Sequence, residues 1–416
     1  MQDIDLSKIK KVFFIGIGGI GISALAKMVM SRGIEVLGVN DEESPKTIDP
    51  LRDAGAIIFY QNELKELPDA DLYIFSDAWI YRGPELISQA RKRNKPVMSY
   101  FEALGQFAKE YKVIAIAGTH GKTTTTAMVA DILIDAGLDP TVVVGSFVKK
   151  FDSNFREGSS DYLVVEADEY NRHFLNFHPF VSVITNIEAD HLDCYKDLAD
   201  IQSAFDKFTS QSEHKILDYS KYLDKVPRLL VPGVHNRMDA AAALAVADFL
   251  HIKEEVVKKS LTEFSGTWRR LEKKGETKEG TIIYDDYAHH PTEIKASLEG
   301  LRELYPKGDK NIFVLFQPHL YSRTKALFND FAKSFKGADQ VLLLPIYFAR
   351  ESKDESVSSE LLAEAITLEG EKAKAFSTFE EAESYVTSLS LGPKDVFVTM
   401  GAGEAYKVAE KVLPVV

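Results

Sequence analysis

The chain has 416 residues, 45% of them hydrophobic, a formal charge of −13 and one cysteine, Cys194. That length and hydrophobic content support two or three domains with separate cores and argue against a disordered chain, while the lone cysteine excludes an internal disulfide and a cysteine-built zinc site. The acidic balance argues against a broad nucleic-acid surface, since phosphate backbones are bound by clustered Lys and Arg, and no stretch approaches the ~20 apolar residues of a membrane span; the expected location is the cytoplasm.

Short apolar runs alternate with amphipathic stretches from the start: KVFFIG, the helical ISALAKMVMSRG, IEVLGV, then DLYIFS. This is the rhythm of βαβ units and predicts parallel sheets. The first run leads into KVFFIGIGGIG, where Gly16, Gly18 and Gly21 form G-x-G-x-x-G between a strand and a helix, and Asp41 ends a second strand. Alone, this fits a dinucleotide fold with an acid for the ribose, so a nicotinamide-dependent dehydrogenase is one reading. The pattern closes near residue 108 with the helix-like SYFEALGQFAKEY.

A second unit opens with the strand KVIAIAG and the loop AGTHGKTTTT. Gly118, Thr119, His120, Gly121, Lys122, Thr123 and Thr124 follow a strand and open a helix, in the shorter form G-x-x-G-K-T rather than the full Walker A. Such a loop turns backbone N–H groups inward, adds the helix dipole, places a Lys at β/γ-phosphate oxygens and offers a Thr hydroxyl to Mg²⁺. The alternative is a glycine turn before an exposed Lys. YLVVEADEY then delivers Glu166, Asp168 and Glu169 to the carboxyl edge of the sheet, and VSVITNIEADHLD delivers Asn186, Glu188, Asp190 and His191. Thr123, Glu166 and His191 form a candidate divalent-cation set, whose oxygens suit Mg²⁺ and whose histidine suits Mn²⁺ equally. The other acids read equally well as solvated strand ends. Cys194 beside His191 has no activating signature and reads as an incidental thiol. Hydride transfer needs neither this Lys nor these acids, so two phosphate loops suggest one site for a nucleotide diphosphate and another for ATP.

An alanine-rich helix at 239–250 leads toward Thr267, after which TIIYDD, NIFVLF, QVLLLP and DVFVTMG predict a third unit. The expected domains are residues 1–108, 109–267 and 268–416.

Motifs in order along nearly the whole chain, FIGIGGIGIS, AGTHGKTTTT, EADEYNRHFL, TNIEADHLD, PGVHNRMDAAAA, FSGTWRRLE, YDDYAHHPTEI and FQPHLYSRT, resemble the Mur ligases, and among them the members that join L-alanine to UDP-N-acetylmuramate in peptidoglycan precursor synthesis. The resemblance implies an α/β protein of three domains. These are a Rossmann-like N-terminal domain for the UDP-sugar, a central P-loop ATPase-like domain, and a Rossmann-like C-terminal domain for the amino acid. It implies ATP and Mg²⁺ as cofactors, and a reaction through an acyl phosphate formed on the lactyl carboxylate. Gly16, Gly18, Gly19, Gly21 and Ser23 then resemble the UDP-sugar diphosphate loop. Asn236 is similar to the adenine contact, Asp286 to the ribose contact, and Arg269 and Arg270 to a hinge-side pair suited to phosphate. Tyr287, His289 and Arg323 resemble the amino-acid pocket, with Lys122, His191, His289 and Arg323 as the catalytic set. His289 is similar to a base or, equally, to an orienting hydrogen-bond partner, and His319 is read as structural.

Three departures stand out: Asp239 where relatives have Asn, Leu320 where many carry Arg, and a segment between Thr209 and Val231 much shorter than the antiparallel sheet of relatives. The central domain is therefore expected to be trimmed. Other readings are a ligase attaching a whole tripeptide to the same UDP-sugar, whose relatives diverge at FQPH-x-x-SR, and a nucleotide-binding protein that has lost catalysis.

Overall fold

The structure, a computed structural model, describes residues 4–191, 194–348 and 351–415. It contains three α/β sheets, distributed over two compact units. The first unit comprises Met1–Leu229 and Met238–Ser265, and the second comprises Leu230–Arg237 and Gly266–Val416.

The first sheet is parallel throughout, β1 (Lys11–Ile15), β2 (Glu35–Asn40), β3 (Ile57–Tyr60), β4 (Leu72–Phe75) and β5 (Val97–Ser99), in the order β3-β2-β1-β4-β5. Its strands are nearly continuous apolar runs because helices cover both faces. Val12, Phe14, Leu72 and Ile74 pack on one side, and Phe13, Ile15, Tyr73 and Phe75 on the other. The order reverses between β1 and β4, which is where a crevice opens at the carboxyl ends of an open α/β sheet.

The second sheet holds β6 (Lys112–Ala117), β7 (Thr141–Val148), β8 (Ser153–Arg156), β9 (Tyr162–Glu166), β10 (Val181–Ile184) and β11 (His214–Ile216), ordered β11-β10-β6-β9-β7-β8 with β8 antiparallel. Its core continues that of the first sheet: Ala115, Val165, Phe174 and Phe205 belong to the same buried cluster as Val12 and Phe14. The short segment after Thr209 supplies only β11 and a 3-10 turn, Ser220–Lys225. Tyr219 donates to the carbonyl of Thr185, just past β10, at 2.5 Å and Tyr222 to Asp248 on the helix Val234–Phe249 at 2.5 Å, and both rings are buried, so two tyrosines tie this stretch to the sheet end and to a helix.

The third sheet holds β12 (Glu272–Glu276), β13 (Ile282–Asp286), β14 (Asn311–Phe316), β15 (Gln340–Leu343), β16 (Ala373–Ala375) and β17 (Asp395–Met400), ordered β12-β13-β17-β14-β15-β16 with β12 antiparallel. Ile282, Tyr284, Val314 and Val398 face one core, and Ile283, Leu315 and Phe397 the other. Residues 230–237 pack within this unit: the Gly233 N–H donates to Glu303, and Gly233 closes against Gly300. Among the described residues no helix is long and apolar enough to cross a membrane.

Candidate functional site

Three loops of the first unit converge because β6 lies between β9 and β10. Gly121 adopts a left-handed φ of +80°, and a side chain there would run into the Asp239 carboxylate, so glycine is required before the helix Lys122–Asp135. Asp239 itself accepts the Thr125 hydroxyl at 3.2 Å. The loop rests on the end of β10. Asn186 accepts the His120 N–H through its side chain and the Thr119 N–H through its carbonyl, both at 3.0 Å, and Thr119 Oγ1 accepts the Glu188 N–H at 2.9 Å.

Lys122 curls back over this loop, donating to the carbonyls of Gly118 at 2.6 Å and Thr119 at 3.1 Å, and it pairs with Glu169 at 2.8 Å. Burial works against its charge, but Glu169, Asp168 and Glu166 outweigh that and raise its pKa. It is therefore a fixed cation at a helix N-terminus. Thr123 Oγ1 lies 3.0 Å from both oxygens of Glu166, one of which also accepts the Gly145 N–H at 2.9 Å. These hard oxygens, held against each other, have the donor chemistry of a divalent-cation site beside phosphates. His191 Nε2 stands 3.5 Å from Glu169 and 3.7 Å from Asp190, and these carboxylates raise its pKa against the effect of burial. Leu192 and Asp193 of the same motif lie outside the described residues.

The first glycine loop leaves β1 at the switch point. Gly16 has φ +83° and lies against Trp79, leaving no room for a side chain. The Gly18 N–H donates to Asn40 at 3.2 Å and its carbonyl accepts the Thr47 hydroxyl at 2.7 Å, while Gly19 and Gly21 flank the start of the helix Ile20–Ser31. Ser23 is fully buried one turn in. Its hydroxyl donates to Ile20 and accepts from Asn154 at 2.9 Å, so in this structure it ties β8 to the helix. Lys27 reinforces the tie with contacts to Ser153 at 3.0 Å and Asn154 at 2.9 Å. Asp41 is paired with Arg82 at 3.0 Å.

In the second unit the ends of β13, β14 and β17 meet. Asp286 is buried, accepts the hydroxyl of Ser297 and the N–H of Ala288, and burial pushes its carboxyl up to about 6. Arg269 is also buried. It pairs with Asp285 at 2.8 Å, donates to the carbonyls of Gly401 and Gly403, and lies over the ring of Tyr406. Its guanidinium is thus spent on cross-linking β13 to the loop after β17. Arg270 is more open, lying over Tyr287 and 3.8 Å from Glu293. His290 caps the helix Pro291–Leu304 by accepting the Thr292 N–H, whereas His289 Nδ1 faces the Tyr287 carbonyl at 3.0 Å and Glu293 at 3.3 Å. Arg323 lies 3.4 Å from His319, which stacks on Tyr347. Leu320 is buried at φ +70°, held by the Tyr347 carbonyl. Asn236 donates to Pro232 at 2.6 Å and contacts His235, which burial pushes down to about 4.

Patterns for the Mur ligase family match three successive stretches: its catalytic domain over residues 11–112, its middle domain over 116–222, and its glutamate ligase domain over 269–403. The chain belongs to the Mur ligase family. This Mur ligase therefore has the three-domain architecture of an ATP-dependent family that uses a divalent metal. It is 38% identical to the UDP-N-acetylmuramate–L-alanine ligase of Clostridium acetobutylicum, over 97% of each chain, and 38% identical to the protein of the same name from Desulfosudis oleivorans, again over 97% of each. The first alignment runs over 454 positions, more than the 416 residues here, so that relative carries residues this Mur ligase lacks. Among solved structures it is similar to the UDP-N-acetylmuramate–alanine ligase of Thermotoga maritima, with a TM-score of 0.81 and 29% identity, covering 97% of this chain and 98% of that one. A murein peptide ligase from Psychrobacter arcticus shares the fold, with a TM-score of 0.68 and 21% identity over 97% of this chain and 98% of that one.

Sequence patterns pointed to Lys122, Thr123 and Glu166, which the fold brings together, but missed the partner of Lys122. Glu169 was visible as one of three acids after β9, yet nothing in its spacing distinguished it from Asp168. Asp239 supports the phosphate loop, a role its place in a helical, alanine-rich run did not announce.

Proposed function

We propose that this Mur ligase joins L-alanine to the lactyl carboxylate of UDP-N-acetylmuramate, in peptidoglycan precursor synthesis, at the expense of ATP and with Mg²⁺. The observation that carries the reading is the meeting of Lys122, Thr123 and Glu166 at one sheet edge, in a chain that matches alanine ligases over nearly its full length. Binding anions next to one another is the physical difficulty, and a fixed cation with oriented backbone N–H groups reduces their repulsion.

ATP phosphates displace Glu169 from Lys122 and lie on the N–H groups of the 118–124 loop. The lactyl carboxylate attacks the γ-phosphorus, ADP leaves, and an acyl phosphate forms. The amine of L-alanine then attacks the acyl carbon and inorganic phosphate departs. Thr123 and Glu166 would hold Mg²⁺, with His191 serving a second ion, and the metal supplies charge neutralisation on the phosphates. The loop Gly16, Gly18, Gly19 and Gly21 takes the diphosphate of the UDP-sugar, and Ser23 anchors that loop from beneath. In the second unit Arg323 takes the carboxylate of L-alanine, beside Tyr287 and His289.

The experiment is phosphate release from ATP and Mg²⁺ in the presence of UDP-N-acetylmuramate, with L-alanine, glycine, L-serine or a tripeptide added singly. Release driven by L-alanine supports the reading, and release with tripeptide alone replaces it.

A further inference from the structure

His173 is buried in the first unit at the junction of its two sheets. Its ring stacks on Phe101, with centroids 4.0 Å apart and planes at 16°, and its Nε2 lies 2.7 Å from the carboxylate of Asp77, which follows β4. On the other side Nδ1 stands 3.7 Å from Asp168, in the turn that follows β9. One imidazole therefore sits between carboxylates from two different sheets.

The turn it grips is unusual. Asp168 accepts the N–H of Tyr170 through its side chain and of Phe174 through its carbonyl, and between them Asn171 and Arg172 are both left-handed, at φ 49° and 58°. Two consecutive non-glycine residues in that region persist only where surrounding contacts hold them. Arg172 is held by Asp200 at 2.7 Å, and His173 is the next residue. Upstream, the same turn presents Glu166 to Thr123 and Glu169 to Lys122.

Electrostatics point the same way. Burial alone would lower the pKa of His173, but the carboxylates of Asp77 at 2.7 Å and Asp168 at 3.7 Å carry it up to about 9, so the ring is a cation at neutral pH. Asp168 is itself within Coulombic range of Lys122. With His173 charged, Asp168 has a partner of its own and Lys122 is left to Glu169 and to phosphate.

We propose that His173 is a positioning residue of the phosphate loop, which fixes the 166–177 turn from the first sheet and offsets Asp168 so that this carboxylate does not compete with ATP for Lys122. This role presupposes that Lys122 meets the phosphates of ATP.

The test is steady-state kinetics of His173→Gln, which keeps hydrogen bonding but removes the charge. The KM for ATP is expected to rise about tenfold, the order set by one uncompensated charge, with the KM for UDP-N-acetylmuramate within about twofold. Adding Asp168→Asn to His173→Gln is expected to restore the ATP constant, which repair of mere packing damage would not do. An unchanged ATP constant, an equal rise in both constants, or no rescue by Asp168→Asn would overturn the proposal. Should His173→Gln fail to fold, Asp77→Asn carries the test, since it weakens the same cation from the far side; it is expected to raise the ATP constant by a smaller factor, and no rise overturns the proposal. Lys122→Ala separates the two layers by direct ATP binding. If it loses ATP while His173→Gln does not, only the role of His173 falls; if it binds ATP as the parent does, the reading of the loop falls and takes that role with it.

Discussion

In the proposed reaction Lys122 is the side chain on which the chemistry turns. Its ammonium has three donors, and two carbonyls and a carboxylate take them all, so it waits in place rather than searching for its ligand. Lys122→Ala is expected to abolish ADP formation, a loss of at least about 10³-fold by analogy with removing one preorganised charge donor, while UDP-N-acetylmuramate still binds in a calorimetric titration. Unchanged turnover would refute the role. His173 makes a second, independent prediction in stability. Its folded-state pKa is raised from 6.5 to about 9, so the folded protein holds the proton more tightly than the unfolded chain. The stabilisation is fully present below pH 6.5 and is lost as pH rises through 9, on the order of 2–3 kcal/mol. Asp77, Asp168 and the ring of Tyr170 are the titratable groups around it. The unfolding midpoint should fall between pH 6.5 and 9.5, and His173→Gln should flatten that slope; a parallel slope in the variant would contradict it. Some of this was readable from sequence and some was not. Lys122 announced itself through the loop spacing, but Arg269 did not announce its burial, because an arginine reads as a surface residue until a carboxylate and two carbonyls are folded around it.

At the scale of elements, the strands were legible because a buried parallel strand must be an apolar run, and KVFFIG, KVIAIAG, NIFVLF and DVFVTMG all became strands. Their loops were legible only in part. Glu166 ends β9 as its run predicts, but the turn that follows Glu169 runs through the left-handed pair Asn171–Arg172, for which the sequence carries no glycine as a signal. The contact of His173 with Asp77 joins two sheets, and no local pattern encodes it. The helix Lys122–Asp135 carries its own oddity. Asp131 is buried, burial pushes its carboxyl up to about 7, and the nearby Lys150 is paired with Asp135 at 2.6 Å. Here the sign is the reverse of a paired acid: the folded state favours the protonated form, so stability is lost as pH climbs from about 4 through 7. Asp131→Asn is expected to raise the unfolding midpoint at pH 8, by an amount on the order of 2–4 kcal/mol in stability, with the gain shrinking toward pH 4. An equal effect at both pH values would show that the substitution acts through packing instead.

At the scale of the whole molecule, the three sheets were foreseen from three restarts of the βαβ rhythm, and the family from motifs in sequence order. What the rhythm could not show is that two sheets share one core, or that residues 230–237 pack in the second unit against the helix Pro291–Leu304, since both depend on which exposed faces meet after folding. The short segment after Thr209 is held by two tyrosines, Tyr222 to Asp248 on the helix Val234–Phe249 and Tyr219 to the same Thr185 whose hydroxyl donates to the His120 carbonyl. The segment thus braces the loop of residues 118–124. Whether that bracing serves the proposed chemistry is decided most directly by following inorganic phosphate from the purified protein with ATP, Mg²⁺ and UDP-N-acetylmuramate while amino acids are added one at a time. The expected result is release that depends on L-alanine and disappears in Lys122→Ala; release with tripeptide but not L-alanine, or none with any acceptor, would contradict it.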